Sequence, residues 1–434
     1  MARMLIASIA LLIVIGGAWS TSAGPARAPA PAGAKDVTAS VERLGAPFTT
    51  GSFARNVWDM QSFNGRIYLA HGNSANSGPD ANAGPIPVWY YDPASQKFVN
   101  QYTANEDQIA HYRVINGQLV IPGFDPREGW EYGNYYVLER DTWRKMRTIP
   151  AAIHTFDMIA HQGRLFAATG TREKKRVVVS DDMGKTWQTA LPEVGYTHHL
   201  FTFKGELYAL WFLYTSDNPS DSQLHRFDGT AFVHAQIAGN KLLPGVPAGN
   251  LVHLRQITSF KQKLIYTAIV DAGAGGQQVL LYTASALDAA QRVVLPERDA
   301  APYDLLSRDD TFYVLAALRR PSGAYTNLVY TTTDLRTWRE LFRFTAPSFA
   351  RSFEELNGDF YFGLGTTTAE LAPASGDILR VRRAAYAPRG SEPPRPATLT
   401  PTRMRENGLR RVDLPLVRAD GRRGVAASSG VLSR

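Results

Sequence analysis

Between residues 54 and 384 the chain repeats one hydropathy pattern seven times: an apolar run, a short polar break, then a second short apolar run. The breaks lie in FNGRIYLA (63–70), INGQLVIP (115–122), HQGRLFAA (161–168), FKGELYAL (203–210), FKQKLIYT (260–267), RDDTFYVL (308–315) and LNGDFYFG (356–363). Their third residues are Gly65, Gly117, Gly163, Gly205, Gln262, Asp310 and Gly358, spaced by 52, 46, 42, 57, 48 and 48. Asn-Gly, Lys-Gly and Asp-Asp pairs between apolar runs suit tight hairpins, because Gly, Asn and Asp tolerate positive φ. A third strand is predicted in most repeats, as at 88–91, 135–139, 176–180, 278–282 and 327–331. A fourth follows near Phe98, Trp143, Trp187, Phe232, Val293 and Trp338. No long stripe of helical period interrupts them. A period of ~40–50 residues with several short strands is a propeller signature. The prediction is therefore an all-β chain, a propeller of seven four-stranded blades over 37–385. The last repeat stops after its third strand, near 378–383. A stretch over 37–44 is expected to supply the missing outer strand, closing the ring and covering its open edge.

The two ends differ from this body. Residues 1–23 carry Arg3, an apolar run from Met4 to Ile15, and small residues at Thr21-Ser22-Ala23. That is the plan of a cleaved secretory signal peptide, with no membrane span left after cleavage. Residues 24–36 read as an Ala/Pro linker. From Tyr386 onward the chain has ten arginines, no lysine and four acids, so most of the net +8 lies in this tail. It lacks periodicity and is predicted to be solvated and disordered. The remaining body is near neutral, which argues against a nucleic-acid partner. The absence of cysteine excludes disulfide scaffolds, thiolate metal sites and thiol catalysis. The expected setting is secreted or periplasmic, and the expected state a monomer.

Residues 180–187 read S-D-D-M-G-K-T-W, with a degenerate copy T-T-D-L-R-T-W at 332–338. The first matches the Ser/Thr-x-Asp-x-Gly-x-Thr-Trp pattern, so the chain resembles Asp-box propellers of the sialidase type (BNR repeats). The resemblance implies a turn between third and fourth strands, held by Asp182 and Gly184, with Trp187 between sheets. It implies fold far more than function. Sialidases proper fit less well, since no Arg-Ile-Pro motif is present.

Six residues before each turn position stand Asp59, His111, Asp157, His199, Gln256, Asp304 and Ser352. Every first strand thus offers a polar side chain toward the axis, either as a hydrated lining or as a ring of titratable groups. Slightly earlier, at the rim, stand Arg55, Trp58, His154, Tyr196, His198, His253, Arg255, Tyr303 and Arg351. Loops after the second strands open on the same face and hold His71, Asn73 and Trp130. Aromatic faces stack on sugar rings, while Arg, His, Asn and Asp read hydroxyls and carboxylates.

Two classes of function follow. The first is a carbohydrate-active enzyme. A lyase on an acidic glycan needs a cation for the uronate carboxylate (Arg255 or Arg351), a base (His154, His198 or His253) and an acid (Tyr196 or Tyr303). A hydrolase needs two carboxylates, ~5–5.5 Å apart for retention or ~6.5–9.5 Å for inversion, for which Asp59, Asp157 and Asp304 are the candidates. The second class is a propeller that binds a poly- or oligosaccharide, or a protein, without turnover. Arg55, Trp58, His71, Asn73, Trp130, Tyr196, Arg255 and Arg351 are the expected substrate contacts. No cofactor is required. A divalent ion held by His111, His199, Asp59 and Asp157 stays open, though nothing in the spacing demands it.

Overall fold

A computed structural model describes residues 35–170, 175–193, 199–271, 277–367 and 371–387. The signal peptide, the linker up to residue 34, nearly all of the basic tail, Tyr196 and His198 lie outside the described residues. The chain forms seven small antiparallel sheets, one for each predicted repeat, arranged as the blades of a β-propeller. First strands run Asp59–Phe63, Arg113–Ile115, His154–His161, His199–Phe203, Leu251–Phe260, Ala301–Arg308 and Ala350–Leu356. The turn that follows has both central residues at positive φ in six blades, as at Asn64 (50°) and Gly65 (74°). In the sixth blade only Asp309 (48°) takes that conformation.

Alternation places one face of each strand against the neighbouring blade. The buried apolar residues accordingly gather between blades. Tyr68, Ile86 and Val88 of the first blade meet Leu119, Tyr136 and Trp143 of the second. Phe166 and Val177 of the third meet Leu207 and Phe227 of the fourth. Leu315 and Phe342 of the sixth meet Phe353 and Phe360 of the seventh. The same arrangement recurs at the remaining junctions. Each such layer removes water from two sheets at once, which is how short strands acquire a core.

Ring closure follows the expectation with a shifted boundary. The outer strand of the last blade is Val41–Gly45, antiparallel to Ile378–Val381. Val37, predicted within that strand, is instead buried in the core between the sixth and seventh blades. Lys35–Asp36, predicted to be linker, pairs in parallel with Phe342 and Arg343 on the edge of the sixth blade. Charge fixes the closure: Arg43 holds Asp377 with two bonds of 2.7 Å, and Arg380 and Arg382 both hold Glu42. The propeller also runs past the predicted end. Tyr386 donates to Gly358 O at 2.5 Å and packs on Phe342 and Phe360. One element had no signal in the sequence: Leu213–Tyr214, from the loop of the fourth blade, pairs with Leu251 and Val252 of the fifth.

The S-D-D-M-G-K-T-W segment forms its expected local turn. Asp182 Oδ1 accepts the amides of Lys185 and Thr186 at 3.0 and 2.9 Å, Ser180 Oγ accepts that of Gly184 at 2.7 Å, and Trp187 packs edge-on to Tyr135. Asp334 accepts the amides of Arg336 and Thr337 in the same way, both at 2.8 Å.

Candidate functional site at the channel mouth

The seven axial side chains form one continuous pattern of hydrogen bonds from each blade to the next. Asp59 accepts Tyr112 N at 2.9 Å, and His111 Nε2 lies 3.3 Å from Asp157 Oδ1. Asp157 accepts Leu200 N at 2.9 Å, and His199 Nε2 donates to Leu254 O at 2.7 Å. Gln256 donates to Asp304, Asp304 accepts Phe353 N at 2.8 Å, and Ser352 donates to Val57 O at 2.8 Å. The last bond closes the seventh blade onto the first.

This changes the roles open to the three predicted catalytic aspartates. Asp157 is fully buried and saturated: Arg113 binds it bidentately at 2.7 Å, and it also accepts Met158 N at 2.8 Å. The Arg113 and His111 charges and hydrogen bonds outweigh burial and hold its carboxyl well below the usual range. Asp304 accepts Leu305 N at 2.9 Å besides its interblade bonds, and burial pushes it up to about 6. Asp59 is pushed up to about 8, by burial first and then by the Asp304 charge.

One residue before each axial position lie Trp58, Ala110, Phe156, His198, Arg255, Tyr303 and Arg351. In four blades this residue is a β-bulge. Pairing skips Phe156, Arg255, Tyr303 and Arg351 between flanking partners. A bulge leaves one residue out of the ladder and re-aims its side chain. Here it separates the collar residue from the axial residue next to it.

Four consecutive collar residues, from the fifth blade round to the first, form an arc. The Arg255 guanidinium lies 5.6 Å from the Tyr303 ring centre, and that of Arg351 lies 4.3 Å from Trp58. Tyr303 stacks on Phe349 at 4.5 Å, and Arg351 lies 5.2 Å from the same ring. Arg351 is 4% exposed and donates to Asn56 Oδ1 at 2.9 Å and Thr366 O at 3.0 Å. A Cβ on Gly365 would stand 2.7 Å from Arg351 Nε and 2.8 Å from Asn56 Oδ1, so the glycine makes room for this pair. Among the described residues neither arginine has a carboxylate within ion-pair distance, and Arg255 Nη1 is buried without a hydrogen-bond partner. Burial first, then the Arg255 charge, pulls Arg351 well below the ordinary guanidinium value; burial alone pulls Arg255 down against the Asp304 charge. Burial likewise raises Tyr303, opposed by both arginines.

The other predicted site residues spread more widely. His154 accompanies the collar: it touches Phe156 and Phe124, contacts Phe124 O through Nδ1, and burial lowers it to about 4. His253 is half-buried near Phe212 and also held below its ordinary value by burial. Trp130 is exposed on the loop of the second blade. Two predicted contacts belong beneath the surface instead. His71 is 1% exposed, bonded through Nε2 to Pro87 O at 2.8 Å and lowered to about 4 by burial. Asn73 is buried and organises its own loop through Pro79 O, Asp80 O and Ala75 N. A position after a second strand predicts an open loop for both, whereas this loop folds back on the blade. Arg55 ties the entering chain to Ser52 and Pro373. Sequence reasoning missed Phe349 and Phe156. Phe156 shares the seven-residue offset of the other collar positions, so counting back from the turns identifies it.

Among the described residues, no three His, Asp or Glu side chains converge to hold a metal ion, and no helix is long and apolar enough to cross a membrane. No family model and no curated protein matches the chain. Solved structures with similar folds include a prolyl endopeptidase, at 12% identity and a TM-score of 0.42, covering 70% of this chain. The chain spans about half (46%) of that protein's length. Hydrazine synthase of Kuenenia stuttgartiensis aligns at 11% identity and 0.47, covering 78% of this chain and 99% of the other. The propeller domain of the Trilobed protease from Pyrococcus furiosus aligns at 9% and 0.43, covering 72% and 92%. None of these likenesses is needed for the architecture, which the order of strands in the sheets establishes by itself: the chain is a seven-bladed β-propeller.

Proposed function

We propose that the protein acts on an acidic carbohydrate at the channel mouth, as a lyase on uronate-containing chains. The arc from Arg255 to Trp58 supports this reading. It sets two guanidiniums without a carboxylate partner beside the faces of Tyr303, Phe349 and Trp58. A uronate offers a carboxylate to the guanidiniums and a ring face to Trp58, which is half-buried where Tyr303 and Phe349 are buried. With Arg255 and Arg351 neutralising that carboxylate, the adjacent C–H becomes acidic. His253, kept neutral by burial, takes the proton. The carbon–carbon double bond forms as the bond to the glycosidic oxygen breaks, and the Tyr303 hydroxyl protonates the departing oxygen. The hydrolase alternative is weaker, because Asp157 and Asp304 use their oxygens to join blades. A binder without turnover is the second reading, favoured by the fact that the arc itself needs no acid–base pair. Residues 1–23 support export, which suits a polymeric substrate.

The test is incubation of the protein with acidic and neutral polysaccharides. The ultraviolet absorbance of conjugated, unsaturated uronate should rise on an acidic polymer only. Arg351→Gln should lower kcat/KM by roughly 100-fold or more, as for loss of a preorganised charge donor. New reducing ends without absorbance would replace elimination by hydrolysis. Retention of a glycan without either signal would leave the binder.

A further inference from the structure

The collar does not end at the channel. Phe156 of the third blade lies 5.4 Å from Phe124, and His154 packs beside both rings at 5.0 and 5.9 Å. Phe124 begins the loop of the second blade that carries Trp130 and leads into Tyr132. These two side chains are 45% and 46% exposed, and the other aromatic on the exposed side, Tyr214 (37%), belongs to the equivalent loop of the fourth blade. Loops after second strands open on the face where first strands begin. Among the described residues, the most exposed large aromatics therefore share the face of the arc. Single exposed apolar residues are ordinary, whereas adjacent large aromatics on one functional face are not.

The loop that carries Trp130 is braced. Asp125 N donates to Glu106 Oε2 at 3.0 Å, Arg127 N to Asn105 O at 3.1 Å, and Ala151 N to Glu131 O at 2.7 Å. Arg147 bonds Gly129 O, and Lys145 pairs with Glu128. The backbone under the two aromatics is thus fixed before any ligand arrives, which limits the entropy lost on stacking.

We infer that Trp130 and Tyr132 form an outlying stacking subsite, so that the ligand is an extended acidic polysaccharide chain running from the arc past Phe156 and Phe124 to this platform. The inference rests on the acidic-carbohydrate reading of the arc and adds length to it. A single acidic sugar fills the arc alone, while a chain of several units reaches both.

The experiment is calorimetric titration of the full-length protein with size-graded oligomers of galacturonate, alginate, hyaluronan and chondroitin. Wild type, Trp130→Ala/Tyr132→Ala and Arg255→Gln are compared after their melting curves are matched. Affinity of the wild type should climb with chain length for the acid it recognises. The double variant should lose about tenfold on long chains and less than about twofold on disaccharides, the pattern of a peripheral hot spot. Arg255→Gln should weaken both lengths alike. Length-independent affinity, or a double variant equal to wild type on long chains, overturns the platform and leaves the arc standing. An Arg255→Gln protein that binds as tightly as wild type overturns the reading of the arc. No binding to any acid overturns both.

Discussion

The axial ring and the collar occupy adjacent positions in every blade, yet their polar groups meet opposite fates. At the axial position each side chain bonds to the next blade, and the seven bonds close on themselves. One residue earlier, the arginines of the fifth and seventh blades have no carboxylate partner among the described residues and lie beside aromatic rings instead. The bulge explains the divergence. Without it, neighbouring side chains on a strand would simply point to opposite faces. With it, as at Phe156, Arg255, Tyr303 and Arg351, the collar residue leaves the ladder and its side chain is no longer bound to alternate with the axial one. Position along the axis thus separates seven side chains that each bond to the next blade from a collar in which, among the described residues, Arg351 reaches Asn56 and Arg255 Nη1 has no hydrogen-bond partner.

The largest break in this comparison comes at Asp157. It accepts two bonds from Arg113, a contact from His111 and two backbone amides. Asp157→Ala leaves these donors without an acceptor and should cost about 3 kcal/mol, the lower end for a broken buried pair because the Arg113 side chain is 37% exposed. Denaturant unfolding measures it. Adding Arg113→Leu should recover a good part of the loss; a double variant no better than the single one would mean that the backbone bond to Leu200 matters more than the charge.

Asp59 sharpens the comparison through pH. Its folded value of about 8 lies above the ordinary 3.8, so the folded chain keeps a proton that the unfolded chain has lost. Stability contributed by this protonated form is present at low pH and declines as pH rises through the window, levelling above about 8. The decline is at most about 1.4 kcal/mol per pH unit. Asp59→Asn keeps an acceptor for Tyr112 N and has no proton to lose. Its stability relative to wild type should therefore grow by roughly 2 kcal/mol between pH 6 and pH 8. A constant difference would place the Asp59 carboxyl in the ordinary range. Ser352→Ala is a smaller cut in the same ring: it removes one buried bond of 2.8 Å to Val57 O and should cost about 1 kcal/mol at any pH.

Much of this was legible in the chain. Counting back six residues from Gly65, Gly117, Gly163 and their counterparts finds all seven axial residues, because the stretch from axial residue to turn has the same length in every blade although the strands do not. The same count gave no warning of the bulges. A bulge is one extra residue in a ladder, and only the register of Leu254 and Gln256 against Ala268 and Thr267 reveals the one at Arg255. Nor could it show what an aspartate bonds to. The partner of Asp157 is an amide and an arginine from other blades, and such pairings depend on how sheets pack rather than on spacing. His71 illustrates the limit in reverse: its place after a second strand suggested the open face, and the folding-back of its loop against Phe48 buried it.

The smallest stability change is expected at Arg255, and there the contrast between ring and collar is most exposed to failure. Asp157→Ala and Ser352→Ala remove bonds that join blades, and Asp59→Asn removes a titrating group from the ring, so each moves stability. Arg255 makes no ion pair among the described residues, its Nη1 is buried without an acceptor, and burial disfavours its charge. Arg255→Gln takes away a desolvated charge, an orphaned donor and the guanidinium's contact with the Tyr303 ring. Its unfolding free energy should stay within about 0.5 kcal/mol of wild type or rise, since isolated buried charge is a cost that folding carries. Binding of the acidic ligand should fall at the same time. A loss of 2 kcal/mol or more (roughly the tail of the distribution for point variants) would show that Arg255 supports the fold as Asp157 does, and the distinction between ring and collar would then reduce to which blade-joining bonds the geometry displays.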